Sequence, residues 1–178
     1  SNTSRDGLLA KYNENGELDW VRLFGGRSNE YGYGIAIHKQ SIYVCGLTRS
    51  SNGFDGQTYS GGGDGFLIKY RSDGTKDWTR LFGSSDRDIC RNLSTSFDGD
   101  FIYVSAATDL DLDGVTSIEN RDACLIKYAS DGTKIWTEIL STNQNDYGIG
   151  VATTPDGSIY ICGSTRGNLD GQTYIEAG

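Results

Sequence analysis

One histidine, one proline and no methionine occur among the 178 residues. With His38 alone, a metal-binding histidine pair is excluded, and no Gly-x-Ser-x-Gly elbow of a serine hydrolase is present. No apolar run approaches the roughly 20 residues of a membrane-spanning helix, so membrane insertion is not expected. No signal segment is visible. Positive charge is scarce: 16 Lys and Arg against 24 Asp and Glu give a net charge of −8 and a pI near 4.6. Binding to nucleic acid or to an acidic membrane surface needs a basic patch, and none is present. The acidity instead suits a soluble protein that attracts cations. The four cysteines, Cys45, Cys90, Cys124 and Cys162, match neither a zinc ribbon nor a CxxC redox site. Cys45 and Cys162 hold the same place in their repeats, with Ser105 between them, and equivalent places on separate units are not expected to touch. All four are read as small residues for a packed interior rather than as disulfides or ligands.

What is abundant is glycine, at 25, and tyrosine, at 11. Tyr, Ile, Val, Thr and Trp recur in short runs, which suggests short strands joined by glycine-rich turns. The runs belong to a repeat. Asp6-Gly7-Leu8-Leu9-Ala10-Lys11-Tyr12 returns as Asp64-Gly65-Phe66-Leu67-Ile68-Lys69-Tyr70 and again as Asp122-Ala123-Cys124-Leu125-Ile126-Lys127-Tyr128, in steps of 58 residues. Trp20, Trp78 and Trp136 keep the same step. The chain therefore reads as a single domain, residues 1–178, of three repeats at about 6–63, 64–121 and 122–178.

Each repeat carries four strand candidates. The Leu/Ile-Lys-Tyr run comes first, then a turn at Asn15-Gly16, Asp73-Gly74 or Asp131-Gly132, which are strong hairpin signals. The second strand is Trp-Thr-Arg-Leu-Phe, at 78–82 in the middle copy. The third is Gly34-Ile35-Ala36-Ile37 with its counterparts at 92–95 and 150–153, and the fourth is Ile42-Tyr43-Val44-Cys45 with counterparts at 102–105 and 159–162. Alternation puts Phe66, Ile68 and Tyr70 on one face and Leu67 and Lys69 on the other, so both faces are expected to be covered. The small residues of the third strand suit a crowded central axis. A four-stranded unit of this length, repeated and rich in Gly and Trp, predicts an all-β protein of the β-propeller class with three four-stranded blades per chain. A parallel β-helix is the structural rival, but its rungs are shorter and lack hairpin turns.

The segments Asp-Gly-Phe-Leu-Ile-Lys-Tyr, Ser-Asp-Gly-Thr-Lys-Asp-Trp-Thr-Arg-Leu-Phe-Gly, Tyr-Gly-Tyr-Gly-Ile-Ala-Ile, Ile-Tyr-Val-Cys-Gly-Leu-Thr and Phe-Asp-Gly-Gln-Thr resemble the bacterial propeller repeat called SBBP, over essentially the whole chain. The middle copy departs most, with Arg91-Asn92-Leu93-Ser94-Thr95 for the glycine-rich third strand and Ser105-Ala106 for Cys-Gly. The resemblance implies a propeller of the kind found in secreted or surface proteins of bacteria, hence an extracellular, cell-surface or periplasmic location, and it implies no catalytic residues. The Gly-Thr-Lys-Asp-Trp segment is also similar to the tryptophan-docking motif of quinone-dependent dehydrogenase propellers. That similarity implies a structural role between blades for Trp20, Trp78 and Trp136.

Closed propellers use 4–8 blades, and three do not close a ring. In related propellers the Gly-Ile-Ala-Ile type of strand is innermost. That phase gives two outer strands at 8–24, two complete blades, and two inner strands at about 148–164. Two chains joined head to tail would then share blades in a six-bladed homodimer, removing bare sheet edges. Pairing with neighbouring repeats of a longer array is the alternative.

Three sets of residues are candidates for a site. Asp109, Asp111 and Asp113 alternate before Gly114, a spacing that offers hard oxygens to calcium, although position twelve is Asn120 and Glu119 lies one earlier. The equivalent loops keep only the final Asp-Gly, which reads as a turn in which Asp55, Asp113 and Asp170 bond local backbone. Glu30, Asp88 and Asp146 recur before the third strand. They read as backbone caps, or else as a circle of carboxylates binding a cation or polar ligand at a channel mouth. Lys11, Lys69 and Lys127 are expected to pair with acids of the adjacent blade. The function these observations favour is a non-enzymatic scaffold for binding or assembly, with a protein or glycan as ligand. A lectin-like sugar binder and a piece of a larger secreted propeller enzyme are the alternatives.

Overall fold

The structure, a computed structural model, describes residues 4–51, 54–118 and 120–175, and among these it is all-β, with no helix. Twelve strands run in chain order: β1 (Gly7–Tyr12), β2 (Leu18–Phe24), β3 (Glu30–His38), β4 (Ser41–Thr48), β5 (Asp64–Arg71), β6 (Lys76–Phe82), β7 (Asp88–Thr95), β8 (Phe101–Thr108), β9 (Asp122–Ala129), β10 (Lys134–Leu140), β11 (Asp146–Thr153) and β12 (Ile159–Thr165). All pairings between strands are antiparallel. They form four sheets: β1-β2, β3-β4-β5-β6, β7-β8-β9-β10 and β11-β12. Two complete sheets thus stand between an outer-type pair and an inner-type pair.

The turns follow from local chemistry. Gly16, Gly74 and Gly132 take φ of +80°, +81° and +87° between the first two strands of each repeat. Such angles suit glycine, which lacks the Cβ that clashes there. Between β4 and β5, Asp55 and Gly56 both have positive φ, at +52° and +72°, and Gln57 N–H donates to the Phe54 carbonyl at 3.0 Å. Two consecutive left-handed residues make a type I′ turn, the hand that matches strand twist. Asp113-Gly114 and Asp170-Gly171 repeat it.

Each complete sheet is packed on both faces where a neighbouring sheet lies against it, and Ile35 and Ile37 of β3 and Leu140 of β10, beyond those neighbours, stay exposed. Ile42, Val44, Phe66, Ile68 and Tyr70 pack with Leu9 and Phe24 of the β1-β2 pair. The opposite face, with Tyr43, Cys45 and Leu67, packs on Ile102, Val104, Cys124, Ile126 and Tyr128 of the next sheet. This is the two-sided covering that the alternation in Phe66–Tyr70 predicts. The strands β3, β7 and β11, one from each repeat, lie side by side across the sheets. Each carries a bulge at the same place, Gly32/Gly34, Cys90/Asn92 and Gly148/Gly150. Gly34 shows how tight the approach is: a Cβ there would stand 2.9 Å from the Asn92 Cα and 3.0 Å from the Cys45 Sγ.

One expectation about the cysteines fails. Cys45 of β4 and Cys90 of β7 form a disulfide between neighbouring sheets, with Cα atoms 5.8 Å apart. The close approach of β7 to the preceding sheet brings them together, although they occupy different positions in the repeat. Cys124 is buried and free, as expected, whereas Cys162 is free and exposed on the β11-β12 pair.

Candidate functional site

The three carboxylates at the start of the third strands are turned inward. Glu30, Asp88 and Asp146 are 2%, 0% and 1% exposed. Each binds a backbone N–H four residues earlier: Gly26 to Glu30 at 2.8 Å, Ser84 to Asp88 at 2.6 Å and Thr142 to Asp146 at 2.6 Å. Glu30 also accepts the hydroxyls of Thr48 at 2.8 Å and Ser50 at 2.6 Å. The arrangement caps the loop before each strand. The backbone N–H of the same residues donates to Arg5, Gly63 and Arg121 carbonyls at 2.7, 2.8 and 2.6 Å, tying each strand start to the segment before the preceding Asp-Gly or Asp-Ala pair.

A second carboxylate set, which sequence reasoning read only as the start of each repeat, lies beside the first. Asp64 and Asp122 are fully buried. Asp64 accepts the Ser60 N–H at 2.8 Å, and Asp122 accepts the Ile118 N–H at 2.9 Å and the Ser117 hydroxyl at 2.5 Å. Burial pushes the Asp64 carboxyl up to about 6 against those donors, with the Asp88 charge adding to the effect. Burial likewise raises Asp88 and Asp122. The pairing shows in the space around Gly83, where a Cβ would stand 2.7 Å from Asp64 and 3.1 Å from Asp88.

Asp109, Asp111 and Asp113 do not converge. Asp109 is forked by the Arg121 guanidinium, Asp111 accepts the Ser117 N–H at 2.8 Å, and Asp113 is held by Lys134 at 2.6 Å and by the Thr137 hydroxyl at 2.5 Å. Among the described residues no group of three or more His, Cys, Asp or Glu is placed to hold a metal. Glu119, and Asn52 and Gly53 of the equivalent loop, lie outside the described residues. The Asp-Gly turns themselves form as read, but the side chains of Asp55 and Asp113 bond to the outer strand. Asp55 takes Lys76 at 2.5 Å and the Thr79 hydroxyl at 2.6 Å, so it links its turn to β6 rather than to local backbone.

The tryptophans lie in rows that cross the sheets. Tyr43, Lys69 and Trp78 stand opposite one another on β4, β5 and β6, as Tyr103, Lys127 and Trp136 do on β8, β9 and β10. Ring centroids of Tyr43 and Trp78 are 6.1 Å apart and those of Tyr103 and Trp136 6.2 Å. Arg22 and Arg80 cover Trp20 and Trp78 and reach on to the Gly74 and Gly132 carbonyls of the next sheet, both at 3.0 Å. The lysines differ from expectation. Lys11 pairs with Asp19 of its own hairpin at 2.8 Å, Lys69 donates to the Ser130 carbonyl at 3.1 Å, and Lys127 lies over the Phe101 ring at 3.7 Å. In the two complete rows the Lys69 and Lys127 ammonium groups lie over the ring faces of Tyr43, Phe101 and Tyr103. His38 sits half-buried against the Gly99 turn.

The feature left open is the pair of outer sheets. A groove lined by Ala123, Leu140, Ile161, Cys162 and Leu169 lies at β11-β12, and a second, lined by Leu8, Leu9, Gly32, Gly34 and Val44, lies at β1 and β3. No family model matches this chain, and no curated protein matches it with significant similarity.

Proposed function

We propose that this chain is a β-propeller arc of the SBBP-like kind and acts as a non-enzymatic scaffold for binding or assembly, closing into a six-sheet ring with a second copy of itself. The observation that carries the reading is a mismatch within the repeat. Leu8 is 64% exposed, while its counterparts Phe66 and Cys124 are fully buried; Tyr12 is 60% exposed, while Tyr70 and Tyr128 are buried. Tyr160 is 61% exposed against buried Tyr43 and Tyr103, and Ile35 is exposed against buried Leu93. The same side chains therefore wait for the neighbour that their counterparts already have. Bare sheet edges with apolar faces promote association. The buried carboxylates support a structural rather than a catalytic role, since each accepts a backbone N–H of its own loop, while Oδ1 of Asp88, Asp122 and Asp146 has no partner among the described residues. The Cys45–Cys90 disulfide supports an oxidising, extracytoplasmic compartment.

Light scattering tests the reading. A solution mass near twice 19.4 kDa is the expected result, and a folded monomer at micromolar concentration would overturn it.

A further inference from the structure

We infer that β12 of one copy and β1 of the other form one antiparallel ladder in a single register, running from Ile159 opposite Tyr12 to Thr165 opposite Asp6. This rests on the ring reading above and specifies which atoms close it. The two complete sheets fix the register between them. In the first, Ile42 stands opposite Tyr70 and Thr48 opposite Asp64; in the second, Ile102 stands opposite Tyr128 and Thr108 opposite Asp122. Ile159 and Thr165 hold the places of Ile42 and Thr48, and Tyr12 and Asp6 those of Tyr70 and Asp64. A slip by one residue would turn every side chain to the wrong face.

That register places three features together. The first is the aromatic row: Tyr160 comes opposite Lys11 of the second copy, which already stands opposite Trp20. The row then reads Tyr-Lys-Trp, as in both complete sheets. The second is a carboxylate lock. Asp64 and Asp122 accept the N–H four residues before them, from Ser60 and Ile118. Ile175 is the counterpart of Ile118, since Tyr174 N–H reaches Asn168 as Ser117 N–H reaches Asp111. Ile175 N–H of the first copy is therefore the donor for Asp6 of the second, and both residues are exposed in the single chain. The third is the cysteine slot. Cys45 meets Cys90 of the next sheet, and its counterpart Ser105 faces Gly148, where a Cβ would stand 2.8 Å from the hydroxyl. The same slot brings Cys162 against Gly32 of the second copy. Gly32 has room for a side chain, because a Cβ there meets only Phe24 at 3.4 Å and Val44 at 4.0 Å.

Not every internal contact is repeated. Leu18 and Val21 stand where Lys76 and Thr79 bind Asp55, so Asp170 finds neither an ammonium nor a hydroxyl there. The shared sheets are accordingly weaker than the internal ones, and the dimer dissociates on dilution while the chain stays folded.

The test is a cross-link between Gly32→Cys and the native Cys162, read on a non-reducing gel under mild oxidation. The expected result is a covalent species at twice 19.4 kDa that vanishes on adding Cys162→Ser to the same variant. A dimer in light scattering without the cross-link would overturn the register while leaving the assembly reading intact. A monomer would overturn both. Gly32→Ala, still dimeric, shows that the position accepts a side chain. If Gly32→Cys does not fold, hydrogen exchange of the wild-type chain decides instead. Amides of 159–165 are expected to gain at least tenfold protection between dilute and concentrated protein, and no change would overturn the register.

Discussion

Asp64 carries a carboxylate into a place without water contact, beside Asp88, and the fold tolerates it only through N–H donors. Its folded value of about 6 lies above the unfolded value near 4, so the folded chain binds the extra proton between those limits. Stability from this group is therefore complete below about pH 4 and is lost as pH rises through about 6. Asp88 and Asp122 shift in the same direction. The exposed Asp73, Asp98, Asp131 and Asp156 are lowered by turn hydrogen bonds and act in the opposite sense, below the ordinary carboxylate range. Urea midpoints at pH 4.5 and pH 7 check the balance. We expect the wild type to lose on the order of 1–3 kcal/mol over that interval and Asp64→Asn to lose clearly less. Equal losses would mean that Asp64 does not titrate there. The sequence showed this residue only as the first of a repeated run, because burial comes from the neighbouring loop and the next sheet.

At the scale of elements, β3, β7 and β11 are set by how closely backbones can approach. Gly34 faces the Asn92 Cα and the Arg91 carbonyl, with no space for a branched side chain. Gly34→Val is expected to cost about 2–3 kcal/mol, since the displaced neighbours are backbone and a disulfide sulfur. Chemical denaturation followed by near-ultraviolet circular dichroism measures it, and a cost below about 0.5 kcal/mol would show that β3 stands further from β7 than described. Most of this level was legible from the chain alone. Asp-Gly and Asn-Gly fixed the hairpins, period-two alternation gave faces covered on both sides, and small residues marked the strands that crowd together. The observed strands run longer than the short runs read from sequence, Glu30–His38 against 34–37, because pairing continues through the Gly32/Gly34 bulge. What the chain did not show was where Asp55 and Asp113 send their side chains. Their partners come from the outer strand, more than twenty residues later, and the turn itself is indifferent to them.

For the molecule as a whole, the open question is what holds one sheet at a set angle to the next, and the Cys45–Cys90 bond is the covalent part of the answer. It was hidden in the sequence because repeat logic compares like positions, whereas the contact joins the β4 position of one unit to the β7 position of the next. Only the stacking of the sheets makes those two positions neighbours. The bond spans 45 residues, and constraining a loop of that size in the unfolded chain is worth about 4 kcal/mol on a chain-entropy account. Cys45→Ser with Cys90→Ser leaves both strands and their ladders intact, so far-ultraviolet circular dichroism should not change. The denaturation midpoint should fall by the equivalent of about 2–4 kcal/mol. The slot between Ser105 and Gly148 holds the next pair of sheets without any bond, which shows that packing alone sets the step. The double variant should therefore keep its solution mass while losing stability. A lost dimer with native stability would reverse that order, making the disulfide a determinant of curvature rather than of folding.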